Sequence, residues 1–154
     1  MKVLLLKIWR GFPYWLQMFL ARLIRPAYRV AVAAIIFDER RRILLCEHTY
    51  RKKFPWGIPA GNLEFGEKPE DAIVRELFEE TGLEICVQRM LMAVSAKEDH
   101  HISLIYLCKI VSGSFRPSSE ISKVDFFETN KLPRLMPTER ALLERIETEL
   151  KIEK

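Results

Sequence analysis

The chain has 154 residues, 49% hydrophobic and 30% charged, which fits one ordinary domain with a real core and excludes a disordered chain. It holds 25 basic and 21 acidic side chains for a net charge of +4, and no internal repeat or low-complexity run. Six of the basic residues fall in the first 29 positions with no acidic one among them, so the remainder carries about −2.

Residues 1–29 therefore read as a separate, helical extension ahead of a domain over residues 30–154. Lys2, Lys7, Arg10, Arg22, Arg25 and Arg29 are interleaved there with Trp9, Phe12, Tyr14, Trp15 and Phe19. The uncharged run 11–21 is far too short to span a bilayer, and Lys7 and Arg10 interrupt any signal-peptide core. Pro13 and Pro26 divide the extension into short pieces. Two readings follow. The aromatic side packs onto the domain or onto a second subunit of a homodimer, or it lies on an anionic membrane surface as a peripheral contact.

Residues 29–37 form an apolar run expected to be a buried strand, with 43–48 as its hairpin partner across 38–42 and 54–59 as a short loop-strand. The intervening segment 48–56, HTYRKKFPW, is basic and aromatic. Arg51, Lys52 and Lys53 suit phosphate oxygens, and Phe54 or Trp56 suits stacking on a base. The basic cluster is too short to argue for a nucleic-acid surface.

The most informative stretch is residues 61–83, GNLEFGEKPEDAIVRELFEETGL. After Pro69 come good helix formers with Ala72, Ile73, Leu77 and Phe78 at helical spacing. Glu70 and Asp71 suit the positive end of the helix dipole, Pro69 suits its first turn, and Gly82 suits its C-terminal stop. Glu76, Glu79 and Glu80, three and four residues apart, project from one face. Three carboxylates there repel one another unless a cation neutralises them. Oxygen ligands without neighbouring Cys or His favour Mg²⁺, or Mn²⁺, over Zn²⁺.

Gly61, Glu67, Arg75, Glu76, Glu79, Glu80 and Gly82, with apolar Leu77 and Leu83, fill the pattern G-x5-E-x7-R-E-U-x-E-E-x-G-U. Chance matching of all nine positions is on the order of 10⁻⁹ per start. The stretch resembles the signature of the Nudix hydrolases. That resemblance implies an α/β fold, an α/β/α sandwich with a central mixed sheet and a catalytic loop, helix and loop. It implies water attack on phosphorus in a nucleoside diphosphate derivative, a magnesium-dependent and cytoplasmic activity. By the same resemblance Glu79 and Glu80 are the principal metal ligands, and Glu76 is a third ligand or the base. Arg75 positions a glutamate of the helix, through Glu79 at i,i+4 spacing. Glu67 is structural, and Ala60 lends a backbone carbonyl. Many relatives carry glycine in place of Ala60, so a positive φ there would be strained.

Further along, 85–95 and 102–111 read as strands flanking a turn at Glu98, and 124–127 as a shorter one. Glu120, ahead of this last strand and of Leu132-Pro133, resembles the additional acidic residue of the family site, with Glu98 as runner-up. Residues 138–152 read as a helix capped by Thr138, with Leu142, Ile146 and Leu150 on its inner stripe. Cys46, Cys86 and Cys108 stand singly in apolar runs and read as reduced core residues. A nucleotide sugar or an ADP-ribose-like molecule is preferred as substrate over a (d)NTP. The rivals are a non-catalytic sensor of this fold, which would lack signature carboxylates, and a membrane-surface protein acting through its N-terminus.

Overall fold

The computed structural model describes residues 9–24, 27–96 and 100–152. The alternative acidic candidate, Glu98, lies outside them, as do Lys2, Lys7 and Arg25. Helix α1 (Tyr14–Ile24) begins where the Pro13 carbonyl accepts the N–H groups of Leu16 and Gln17 at 3.0 and 3.1 Å, as the proline punctuation predicts. The domain follows as β1 (Arg29–Ile36), β2 (Ile43–His48), β3 (Trp56–Gly57), β4 (Ala60–Asn62), α2 (Pro69–Thr81), β5 (Leu83–Ala96), β6 (His101–Gly113), β7 (Ile121–Phe127) and α3 (Pro137–Ile152).

A four-stranded mixed sheet runs β4-β1-β6-β5, with β1 parallel to β6 and the other pairs antiparallel. A three-stranded antiparallel sheet runs β3-β2-β7. The expected hairpin of β1 with β2 does not form. The Asp38 N–H bonds the Arg42 carbonyl at 3.0 Å and the turn is tight, yet pairing stops at the single bridge Phe37–Ile43. Both edges of β1 are already taken, by β4 and β6, so β2 diverges into the second sheet. Strand β4 escaped the sequence reading because Ala-Gly-Asn has no strand preference of its own; pairing to β1 imposes it.

Strand β1 is buried on both faces, which explains its unbroken apolar run. Val32, Ala34 and Ile36 join Leu44, Tyr106 and Cys108 under Ala72, Ile73 and Leu77 of α2. Ala33 and Ile35 turn the other way, to Ile43, Leu45, Ile58 and Ile105 beneath Leu143 and Ile146 of α3. The result is helix, sheet layer, helix.

Some details depart from expectation. Helix α3 starts at Pro137, so Thr138 lies inside its first turn instead of capping it. Its inner stripe is Leu143 and Ile146, with Leu142 and Leu150 only partly covered. Cys46 and Cys108 are buried and free, whereas Cys86 is free but exposed, because β5 presents it to solvent. The large apolar and aromatic residues of α1 are not covered by the domain: Tyr14 is 76% exposed, Trp15 68%, Phe19 56% and Leu23 68%.

Candidate functional site

Helix α2 carries the site. Pro69 opens it, Glu70 and Asp71 occupy the first turn, and Gly82 closes it in the left-handed conformation (φ 72°), its N–H bonding the Phe78 carbonyl. Ala72, Ile73, Leu77 and Thr81 are buried beneath the helix, Arg75, Glu76 and Glu80 are partly covered along the same arc and its edge, and Glu79 is exposed.

Arg75 organises this surface. It forms a two-point pair with Glu67, Nε to Oε1 at 2.9 Å and Nη2 to Oε2 at 3.0 Å. The expected i,i+4 pair with Glu79 is present at 3.3 Å, and Glu76 lies at 3.2 Å, but Glu67 is the stronger partner. Hydrogen bonding to Arg75 holds the Glu67 carboxyl below the usual range, and Glu67 in turn raises Arg75. Nη2 also donates to the Asn62 carbonyl at 3.3 Å, which ties α2 to the end of β4.

Glu76 lies directly over Gly61, where a Cβ would collide with its side chain, and its Oε1 accepts the Asn62 N–H at 3.1 Å. The signature glycine is therefore required for room. Its neighbour Ala60, in β4, pairs with Ala33 of β1 and is not among the positive-φ residues, so alanine is unstrained there. Glu79 is 58% exposed. Glu80 is half-buried, and burial followed by the charges of Glu120, Glu76 and Glu79 pushes its pKa up to about 7, with Arg51 opposing the rise.

Glu120 reaches the cluster because two loops are stitched together. The Thr49 N–H bonds the Glu120 carbonyl at 2.8 Å, and the Thr49 hydroxyl donates to the Ser119 carbonyl at 2.7 Å. Of the residues singled out on segment 48–56, Arg51 is the one whose charge is felt by Glu80. Phe54 is flanked by Lys53 and Arg134, 5.4 and 5.5 Å from its ring centroid. Trp56 packs, partly buried, against the α3-side core, edge-on to Phe127 at 4.9 Å.

Two residues went unrecognised in the sequence. Glu139, in the first turn of α3, pairs with Arg51 at 2.9 Å. His48, 4% exposed, is held neutral at a pKa of about 4 by burial and by the charge of Arg51. No local pattern could have revealed Glu139, 88 positions from its partner. The clue for His48 is its place at the end of a strand whose first four residues are apolar and buried.

Among the described residues no three carboxylate, imidazole or thiol groups converge into a finished metal cage. The donor set of Glu76, Glu79, Glu80 and the Ala60 carbonyl nevertheless fits a hard divalent cation. It is all oxygen, and burial together with the charges of Glu120, Glu76 and Glu79 disfavours a bare carboxylate at Glu80, a cost that a bound cation would relieve.

A family model described as the NUDIX domain matches residues 27–146. An ADP-ribose pyrophosphatase from Methanocaldococcus jannaschii is 32% identical over 110 residues, covering 69% of this chain and 65%, just under two thirds, of that protein. A MutT-like protein from Streptomyces ambofaciens is 29% identical over 111 residues, covering 72% of this chain and 71% of that protein. Among solved structures, a UDP-X diphosphatase matches with a TM-score of 0.74 at 23% identity, covering 89% of this chain and 72% of that one. An ADP-ribose pyrophosphatase from Streptococcus suis matches at 0.67 and 26% identity, covering 80% and 92%. The likeness to the two solved structures shows that the fold of this chain is shared with them.

Proposed function

The chain belongs to the Nudix family, and on that premise we propose that it hydrolyses the diphosphate bridge of a nucleoside diphosphate derivative by attack of water on phosphorus. The observation that carries this reading is the crowding of Glu76, Glu79 and Glu120 around a half-buried Glu80, whose proton affinity is raised first by burial and then by those charges. Such a cluster is poised to exchange a proton for a divalent cation.

Glu76, Glu79, Glu80 and the Ala60 carbonyl are the proposed ligands of Mg²⁺ or Mn²⁺. When bound, the ion supplies charge neutralisation at the diphosphate and a more acidic water. The protein's own contribution is positional. Arg75 and the Asn62 N–H fix Glu76 against Gly61, and Arg75 also steadies Glu79. Glu120, exposed at the mouth of the cluster, is the proposed acceptor of the proton of the attacking water. Arg51, Lys53 and Phe54 on segment 48–56 are the proposed contacts to the phosphates and the base.

A nucleotide sugar or an ADP-ribose-like molecule is the preferred substrate over a (d)NTP. The archaeal relative named for ADP-ribose hydrolysis, at 32% identity, supports that preference. A product screen over ADP-ribose, nucleotide sugars and dNTPs, with Mg²⁺ and Mn²⁺ in parallel, tests it. Mononucleotide release from the first two classes is expected. Tight nucleotide binding with no turnover on any of them would replace the hydrolase with a sensor.

A second reading concerns residues 1–29. No helix of the described residues is long and apolar enough to cross a membrane. Tyr14, Trp15, Met18, Phe19 and Leu23 share one exposed arc of α1, with Arg22 among them. Aromatic and apolar exposure beside unopposed basic charge fits a peripheral contact with an anionic lipid surface. Co-sedimentation with anionic, but not zwitterionic, vesicles is expected for the full chain and not for one lacking residues 1–24. Association of the chain with itself in place of vesicle binding would assign the same arc to a homodimer.

A further inference from the structure

Three polar side chains from three different elements meet at Gly57 in β3. A Cβ on Gly57 would fall 2.5 Å from Arg51 Nη1, 2.8 Å from Glu139 Oε1 and 3.0 Å from His48 Nε2. The strand is pared to backbone where an arginine from a loop, a glutamate from α3 and a histidine from β2 converge. Arg51 and Glu139 are joined at one point, Nη1 to Oε1 at 2.9 Å. The second oxygen of Glu139 and both ring nitrogens of His48 are buried without a hydrogen-bond partner among the described residues.

A pair serving only the fold would gain more by meeting fork to fork, with both carboxylate oxygens used, and a buried neutral imidazole would gain more as an apolar side chain. Unsatisfied buried polar atoms are uncommon and concentrate where geometry serves something other than stability. Here they surround a guanidinium whose charge reaches Glu80. The loop bearing Arg51 is itself braced: the His48 N–H bonds the Pro55 carbonyl at 2.7 Å, and Cys46 and Glu47 pair with Gly57 and Trp56.

We propose that Glu139 is a positioning residue: from the first turn of α3 it grips one corner of Arg51, against the wall formed by His48 and Gly57, so that the rest of the guanidinium faces the diphosphate of the substrate. The proposal rests on the hydrolase reading for the identity of that ligand. A guanidinium has five N–H donors, and a one-point anchor leaves a planar edge for phosphate oxygens. Helix α3, which carries none of the signature, thereby sets the geometry of substrate capture.

The test is a double-mutant cycle in the full chain with Arg51→Ala, Glu139→Gln and the two combined. Two properties are read: steady-state kinetics on ADP-ribose and a nucleotide sugar, and calorimetric binding of inorganic diphosphate with Mg²⁺. Each single change is expected to raise KM and weaken diphosphate binding about tenfold with kcat within about threefold, the mark of a ground-state contact. The double variant should be no more than about twofold worse than Arg51→Ala alone, since Glu139 acts through that arginine. Additive losses would overturn the proposal, as would Arg51→Ala binding diphosphate like the wild type, or a wild type that does not bind it. Should Glu139→Gln fold poorly, Arg51→Lys gives the same answer with Glu139 intact. A single ammonium cannot serve both partners, so the tenfold KM effect is again expected, and an unchanged KM refutes the idea. If the binding pattern holds while no substrate of the panel turns over, the hydrolase reading fails and the positioning role stands.

Discussion

Two arginines reach the same carboxylate cluster, and they are held in opposite ways. Arg75 is shared among Glu67, Glu76 and Glu79 on or beside its own helix, at 2.9 to 3.3 Å. Arg51 has a one-point partner from the far end of the chain and buried polar atoms left without company. The first arrangement is redundant, built to keep glutamates in register. The second depends on a single anchor, so it can be tuned or lost by one substitution without dismantling the helix.

The strongest way to break the comparison is to remove the carboxylate at the centre of the cluster. Glu80→Gln should lower kcat by about 10³ or more, since losing metal-based charge stabilisation removes several kcal/mol at roughly 1.4 per tenfold. Near-wild-type turnover of ADP-ribose by that variant would sink the assignment of the cluster. Next is Gly61→Ala, which drives a methyl into Glu76 and should cost about 10² in kcat, the scale of an ångström of misplacement. A crystal structure of the variant with Glu76 undisturbed would count against that explanation.

On the Arg51 side, His48 predicts a pH effect on stability. Its folded pKa of about 4 lies below the ordinary 6.5, so between those values the unfolded chain binds a proton that the folded chain refuses. Stability is therefore complete above about pH 6.5 and declines as pH falls towards 4, by about 2 kcal/mol at pH 5. The neighbours of the ring, Arg51, Tyr50 and the Arg51-paired Glu139, offer the imidazolium no direct partner. Denaturant titrations of the wild type and His48→Gln at pH 7 and pH 5 check this; equal losses in both would assign the decline elsewhere. The smallest effect expected is Arg75→Lys, about tenfold in kcat, because a lysine keeps the charge while losing the two-point grip on Glu67. Full activity in that variant would mean that charge alone keeps the glutamates in place.

The same contrast explains what the sequence made legible. Helix α2, its cap at Gly82 and the face presenting Glu76, Glu79 and Glu80 are local matters of spacing, and they stand where the pattern put them. The structural part that the resemblance gives Glu67 fits its pairing with Arg75, but the partner itself is not legible, because a loop residue eight positions away is placed by the fold of the loop and not by helical periodicity. The pairing of β1 was misread for a related reason. A tight turn between apolar runs signals a hairpin, but the edges of β1 were claimed by strands from elsewhere in the chain. Glu139 could not be foreseen at all, since nothing within reach of its own helix needs it.

Alternate side chains of β1 feed both hydrophobic layers, Val32, Ala34 and Ile36 on one side and Ala33 and Ile35 on the other. Neither flank can therefore melt while its opposite stays intact, and amide protons under α2 and α3 should surrender their protection together on heating. A molecule wired like this would give up the proposed metal site and the proposed phosphate contacts in a single event, with no half-working form in between.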